Sequence, residues 1–372
     1  QYFSRAADQF IPKANFYLGA IYYEGKYVTH DINKAIYYFT LAAKANNPEA
    51  QFNLGLTYYD GKYVTRNITK AIHYLTQASY KNNTEAQYLL AVIYKEGKYV
   101  PQDIEKTIYF LSLAAKQNDS KAQYLLGVIY YDGKYVSRDI KKVIHYFELA
   151  AKNNHSLAQY NLGFLYYEGQ NVEFDINKAI YYFQLAANEN DPEAQSYLGL
   201  IYYFGQHVKR DINKAIHYFQ LSADQNDPKS EFYLGIIYYE NKYVKRDINK
   251  SIHYFSLSAK QNISQAQYNL GVIYYEHKYV AIDIYKAIHY FSLAAEQKNP
   301  RAQFYLGLIN YEGKYIKRDI NKAIHYFSIA SNRNALKAQF YLGLLNYEGK
   351  YVTRDINKAI HYFTLSANQN CP

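Results

Sequence analysis

An Asp-Ile dipeptide, once replaced by Asn67-Ile68, recurs at residues 31, 67, 103, 139, 175, 211, 247, 283, 319 and 355, a step of 36 residues without one insertion. A beat this strict argues against an ordinary globular domain, because periods of this length mark stacked supersecondary units. With position 1 of the unit at Pro12, ten repeats follow: 12–47, 48–83, 84–119, 120–155, 156–191, 192–227, 228–263, 264–299, 300–335 and 336–371. Residues 1–11 match the end of a truncated repeat, so 1–372 is expected to form a single array with a partial helix at its start.

Positions 3, 7, 8, 10 and 11 usually read Ala, Leu, Gly, Ile and Tyr, with Thr57 an exception, and at 100° per residue they form one stripe. This predicts helix A over positions 1–13. Asn or Asp before Pro opens it in four repeats, as at Asn47-Pro48 and Asp227-Pro228. Ser or Thr is expected to replace that capping device in others. Position 14, Gly in eight repeats, closes the helix, with Asn241 and His277 the exceptions. The acid at position 20 then caps helix B, whose apolar stripe in the first repeat is Ile32, Ala35, Ile36, Phe39, Ala42 and Ala43. Helix B ends in Asn-rich turns. One such hairpin cannot cover its own apolar stripe, so each must lean on the next. The fold class is therefore all-α, an α-solenoid of helix-turn-helix repeats.

Lone Cys371 excludes an internal disulfide framework, and no Cys/His spacing suits a structural zinc site. N-x-S/T triplets, such as those at Asn67, Asn82, Asn118, Asn154 and Asn262, are what chance makes of a chain rich in these residues. No stretch nears the ~20 apolar residues of a membrane span. The chain lacks Met and opens inside a helical pattern. It reads as a piece of a longer protein, and any targeting signal would lie outside it. A monomeric, cytoplasmic array is the expectation. No nucleophile, base and acid constellation and no phosphate loop occurs, because the position 14 glycines fall on the helix-ending beat. Neither catalysis nor a cofactor nor a metal is expected.

The pattern A-x-x-x-L-G-x-x-Y-x-x-G-K-Y-V-x-x-D-I-x-K-A-I-x-Y-F-x-x-A-A resembles the Sel1-like repeat, a relative of the tetratricopeptide repeat, across essentially all 372 residues. Leu at position 7 and Lys at position 23 occur in all ten repeats, and Asp at position 20 in nine. Two departures concern turns: position 16 is mostly Tyr where the family has Gly, and position 35 mostly Asn. The resemblance implies an adaptor or scaffold working through a concave surface lined by the A helices. It does not extend to the cysteine-rich bacterial branch linked to β-lactam binding.

The A-helix face opposite the stripe carries an aromatic at position 5 in nine repeats and Tyr at position 12 in nine. The residues expected to bind a protein or peptide there are Phe52, Tyr59, Tyr88, Tyr124, Tyr131, Tyr160, Phe164, Tyr167, Tyr203, Phe204, Phe232, Tyr239, Tyr268 and Tyr275. The competing reading packs positions 5 and 12 against neighbouring helices. The middle repeats break pattern: Phe204 replaces an acid, Phe174 a basic residue, Ser196 the position 5 aromatic, and Phe164 adds bulk at position 9. Seven histidines at position 26 (His73, His145, His217, His253, His289, His325 and His361) read as a solvated outer stripe, with a pH-sensitive stripe as the alternative. Lys at 15, Arg or His at 19 and Lys at 23 form a basic edge, with a formal net charge of +10 overall. Nucleic acid or an anionic surface could bind such an edge, although nearby acids offset it. The near-identity of the repeats would also suit a mechanical spacer.

Overall fold

The computed structural model describes residues 12–276 and 278–367. The expectations for residues 1–11, His277 and Cys371 lie outside the described residues. The chain divides into two compact units, 1–189 and 190–372. The first holds α1 (Pro12–Glu24), α2 (Ile32–Lys44), α3 (Pro48–Asp60), α4 (Ile68–Tyr80), α5 (Thr84–Glu96), α6 (Ile104–Lys116), α7 (Ser120–Asp132), α8 (Ile140–Lys152), α9 (Ser156–Glu168) and α10 (Ile176–Asn188). The second holds α11 (Pro192–Phe204), α12 (Ile212–Ala223), α13 (Pro228–Glu240), α14 (Ile248–Lys260), α15 (Ser264–Tyr275), α16 (Ile284–Glu296), α17 (Pro300–Glu312), α18 (Ile320–Ser331), α19 (Leu336–Glu348) and α20 (Ile356–Ala367). Odd-numbered helices are A helices and even-numbered ones B helices. No described helix is long and apolar enough to cross a membrane.

Helix ends follow from the repeat chemistry. Asp31 Oδ1 accepts the Lys34 amide at 3.0 Å to open α2, and Asn47 Oδ1 accepts the Ala50 amide at 2.7 Å to open α3. The expected handover to Ser or Thr does not occur. Asn83 and Asp119 keep the capping role, while Thr84 and Ser120 sit one residue inside the helix, past the extended cap residue. Ahead of Ser156 and Ser264, His155 and Ile263 supply no side-chain cap. At position 35 the chain turns left-handed, with Asn118 at φ 65° and Asn262 at φ 64°. Asn is the side chain that tolerates this best, which explains how it stands where the resembled repeat has Gly.

Within each unit the A and B helices of one repeat pack most extensively, each B helix then packs on the next A helix, and successive A helices touch. The expected stripes face inward: in the first repeat Ala35, Phe39, Ala42 and Ala43 are buried and Ile32 and Ile36 half-buried, and in the seventh Ser251, Phe255, Ser258 and Ala259 are buried. The A and B helices are in tight contact where position 8 meets position 28. A Cβ on Gly235 would stand 2.5 Å from Phe255 Cδ1, so only Gly fits beside Phe. The third repeat exchanges the sizes, setting Ala91 with Leu111, both fully buried.

Position 4 joins consecutive repeats through a buried amide. Gln123 Nε2 donates to Ala115 O at 3.0 Å in the preceding repeat, and its Oε1 accepts from Asn153 Nδ2 at 3.0 Å. Gln267 repeats this with Ala259 O and Gln297. Where position 34 is Ala45, Lys81, Glu189 or Arg333, the side-chain oxygen of Asn15, Gln51, Gln159 or Gln303 is buried and accepts no hydrogen bond. Glu231 takes this place in the seventh repeat at 1% exposure, its Oε2 accepting from Gln261 at 3.0 Å. Burial pushes its carboxyl up to about 6, with Asp227 adding to the rise and the Gln261 bond opposing it. In the unfolded chain this carboxyl ionises near 4.5. Folding is therefore most favoured by Glu231 below that pH and loses that contribution as pH rises through about 6.

Candidate protein-binding face

On the A-helix face, position 5 rings lie on the buried position 28 Phe of their own repeat, with centroids 5.6 Å apart for Tyr124 and Phe147, 6.0 Å for Tyr160 and Phe183, 5.9 Å for Phe232 and Phe255, and 6.1 Å for Tyr268 and Phe291. Phe52 and Tyr88 pack beside the core of the second to fourth repeats. Position 12 rings bridge onward: Tyr59 meets Tyr99 edge-on at 6.2 Å, Tyr203 meets Tyr243 at 6.3 Å, Tyr239 meets Tyr279 at 5.9 Å and Tyr275 meets Tyr315 at 6.5 Å. Tyr167 touches Phe183 at 6.4 Å. Tyr203 is pushed up to about 12 by burial and then by Glu240 and Tyr243. The Tyr275 hydroxyl donates to Glu312 at 3.1 Å, and burial with that carboxylate raises its pKa. Both hydroxyls stay protonated at any physiological pH.

Of the fourteen sequence-selected residues, Tyr131 and Phe204 are exposed and the other twelve are half-buried. The packing reading thus describes most of positions 5 and 12, and they form a rigid aromatic floor. Phe164 stacks on Tyr160 at 6.3 Å and lines, with Tyr131 and Asn171, a cleft of about 100 Å³. Phe204, 43% exposed, stands edge-on to Tyr203 at 5.1 Å and to Tyr233 at 6.0 Å. Tyr233 in turn stacks on Phe219 at 5.3 Å. The floor also uses position 6 rings that sequence reasoning passed over: Tyr305 stacks on Phe291 of the preceding repeat at 4.9 Å, and Tyr341 on Phe327 at 5.3 Å. Tyr occurs there in only half of the repeats, so the signal was weak.

The basic edge is engaged within the molecule. Arg66 Nε donates to Tyr59 O at 2.8 Å, Nη1 to Tyr99 Oη at 2.7 Å and Nη2 to Asp60 O at 2.9 Å. The guanidinium thereby closes the end of one A helix and latches it to the loop of the next repeat. Arg210 repeats the arrangement with Tyr203, Tyr243 and Phe204, and Arg318 bonds Tyr351 and Glu312. Where Asn171 replaces the position 16 Tyr, Arg138 lies instead over Tyr131, 4.6 Å from its centroid. Position 23 lysines lie over position 11 tyrosines, as Lys142 does over Tyr130 at 4.6 Å, while also pairing with the position 20 cap. That tyrosine stacks nearly parallel on Tyr146. The seven position 26 histidines are exposed and lie edge-on to the following Tyr, as His145 does to Tyr146. No group of His, Cys, Asp and Glu that could hold a metal occurs among the described residues.

A search of curated proteins finds no match. Among solved structures, the chain is similar to the protective antigen c5321 of uropathogenic Escherichia coli strains, described as displaying an SLR fold. That match has 29% identity and a TM-score of 0.91, over 100% of this chain and 79% of that one. It is also similar to a Sel1 repeat protein from Oxalobacter formigenes, at 28% identity and TM-score 0.66, over 83% of this chain and 89% of that one. The Sel1 repeat model matches residues 12–47, 48–83, 84–119, 120–155, 156–191, 192–227, 228–263, 264–299, 300–334 and 336–371. An all-α solenoid of ten such repeats, this chain belongs to the Sel1 repeat family.

Proposed function

We propose that the chain is a non-catalytic scaffold that binds a protein or peptide partner across the aromatic face of its A helices. The observation that carries this is Phe204: a large apolar ring exposed where nine repeats have an acid, seated on rings already held by packing. Rings fixed in advance lose little freedom on binding, so their contact area converts efficiently into affinity. Exposed aromatics on such a floor fit the hot-spot pattern of protein interfaces. A nucleic-acid reading of the basic edge draws less support, since Arg66, Arg210 and Arg318 are already bonded to tyrosines and helix-end carbonyls. A mechanical spacer gives no reason for an exposed Phe204.

The test is capture of partners by the immobilised chain at low and high salt, followed by affinity measurement with the purified partner. Phe204→Ala is expected to weaken binding at least ~10-fold while leaving thermal stability nearly unchanged. His217→Ala, on the outer B-helix face, is expected to change neither. Equal affinities for the wild type and Phe204→Ala would remove the reading of this residue as an anchor.

A further inference from the structure

The repeat pattern fails in a concentrated way at the junction of the ninth and tenth repeats, between α17 and α19. A cleft of about 520 Å³ opens there, with Arg301, Arg333 and Lys337 on its walls beside Phe304, Tyr305 and Leu336. No acidic residue lines it. Among the described residues, none of the three cations makes an ion pair, and no hydrogen bond from their side chains is found. This sets them apart from Arg66, Arg210 and Arg318, which are held by tyrosines.

One of the three cations occupies a position with another duty elsewhere in the array. Arg333 stands at position 34, where Gln117, Gln225 and Gln297 donate to the position 4 amide oxygen. With Arg there, Gln303 Oε1 is buried and unpartnered. Arg301 and Lys337 occupy position 2 in consecutive repeats. At every other junction the same three positions carry at most one net positive charge, as with Glu49, Lys81 and Glu85 or Lys229, Gln261 and Gln265. Ala335 also replaces the Asn or Asp that caps most A helices, so the positive end of α19 lacks a side-chain acceptor.

We propose that this cleft binds a carboxylate-rich segment of a protein partner, one in which two or more Asp or Glu side chains flank an aromatic or aliphatic residue. The inference rests on the reading of the chain as a protein-binding scaffold and names the chemistry of one of its contacts. Guanidinium groups engage carboxylates through paired hydrogen bonds, and the uncapped end of α19 adds a third attraction for negative charge. The apolar part of the wall suits the flanking side chain. Single-stranded RNA fits less well. Phe304 is buried and Tyr305 is stacked on Phe291, so neither offers a free face for a base, and the charges are gathered in one cleft rather than along a groove.

The test uses the full chain and two fluorescein-labelled peptides with the same central Phe, one flanked by Asp and Glu and the other by Asn and Gln, with polyuridylate as competitor. The wild type is expected to bind the acidic peptide and lose it as salt rises, while the amide peptide binds at least ~10-fold more weakly. Arg333→Gln is the decisive variant, because it restores the residue that partners position 4 elsewhere. It is expected to weaken acidic-peptide binding at least ~10-fold with melting temperature unchanged or raised. Arg301→Gln is expected to act likewise, and Lys229→Gln at the equivalent position of another junction not at all. Three outcomes would overturn the proposal: no binding of the acidic peptide, binding indifferent to Arg333→Gln and Arg301→Gln, or displacement by polyuridylate in an Arg333-dependent way. Failure here with Phe204-dependent partner capture intact would leave the scaffold reading standing; loss of both would remove it.

Discussion

Gly235→Ala is expected to destabilise the second unit by about 3 kcal/mol, at the upper end of what overpacking costs. The new methyl would stand 2.5 Å from Cδ1 and 2.6 Å from Cε1 of Phe255, distances no carbon pair sustains. Phe255 is fully buried and cannot swing aside, so α13 and α14 would have to separate and give up contacts along both stripes. The third repeat supplies the remedy in its Ala91 and Leu111 pair. Adding Phe255→Leu to Gly235→Ala is therefore expected to recover at least about half of the loss, a coupling typical of residues in contact. Urea denaturation of the two single variants and the double variant measures it. Additive losses would mean that the close approach of the helices is not what selects Gly.

Gln267→Leu is expected to cost about 2 kcal/mol despite adding apolar volume to a site 1% exposed. The amide serves two repeats at once, donating to Ala259 O at 3.1 Å and accepting from Gln297 Nε2 at 2.8 Å, and leucine leaves both partners unmatched. Gln51→Leu is the internal comparison. Its Oε1 already has no partner, and its Nε2 donates to Ala43 O at 3.2 Å, so one bond is lost rather than two. The same substitution there should cost roughly 1 kcal/mol less. Equal losses at the two sites would show that the position 34 donor contributes nothing.

The fold was legible because every element repeats with the same punctuation. Asp31 and its equivalents mark where each B helix starts, Gly61 and its equivalents where each A helix stops, and the apolar stripes between them give helix length and inward face without knowledge of neighbours. Ser and Thr do not cap these helices because Thr84 and Ser120 stand one residue after the cap, a shift that side-chain type alone does not reveal. What remained hidden joins residues about one repeat apart. The Arg66 and Tyr99 latch spans 33 residues, and no helical wheel brings such a pair together. The Gln at position 4 was visible in eight repeats, yet its role as a clasp needs the carbonyl of the previous B helix. For the candidate face, the sequence separated inward from outward sides of each A helix but not floor from rim. Tyr203 and Phe204 are neighbours in the chain, and only packing makes one half-buried and the other exposed.

The most direct test of partner binding by the A-helix face is tyrosine nitration of the free chain and of the chain bound to a purified partner, read by peptide mass spectrometry. Exposed tyrosines mark both sides: Tyr131 and Tyr347 on A helices, Tyr37, Tyr109 and Tyr181 on B helices. Protection of Tyr131 or Tyr347 in the complex, with Tyr37, Tyr109 and Tyr181 still nitrated, is the predicted result. Protection of the B-helix tyrosines while Tyr131 and Tyr347 remain reactive would contradict it.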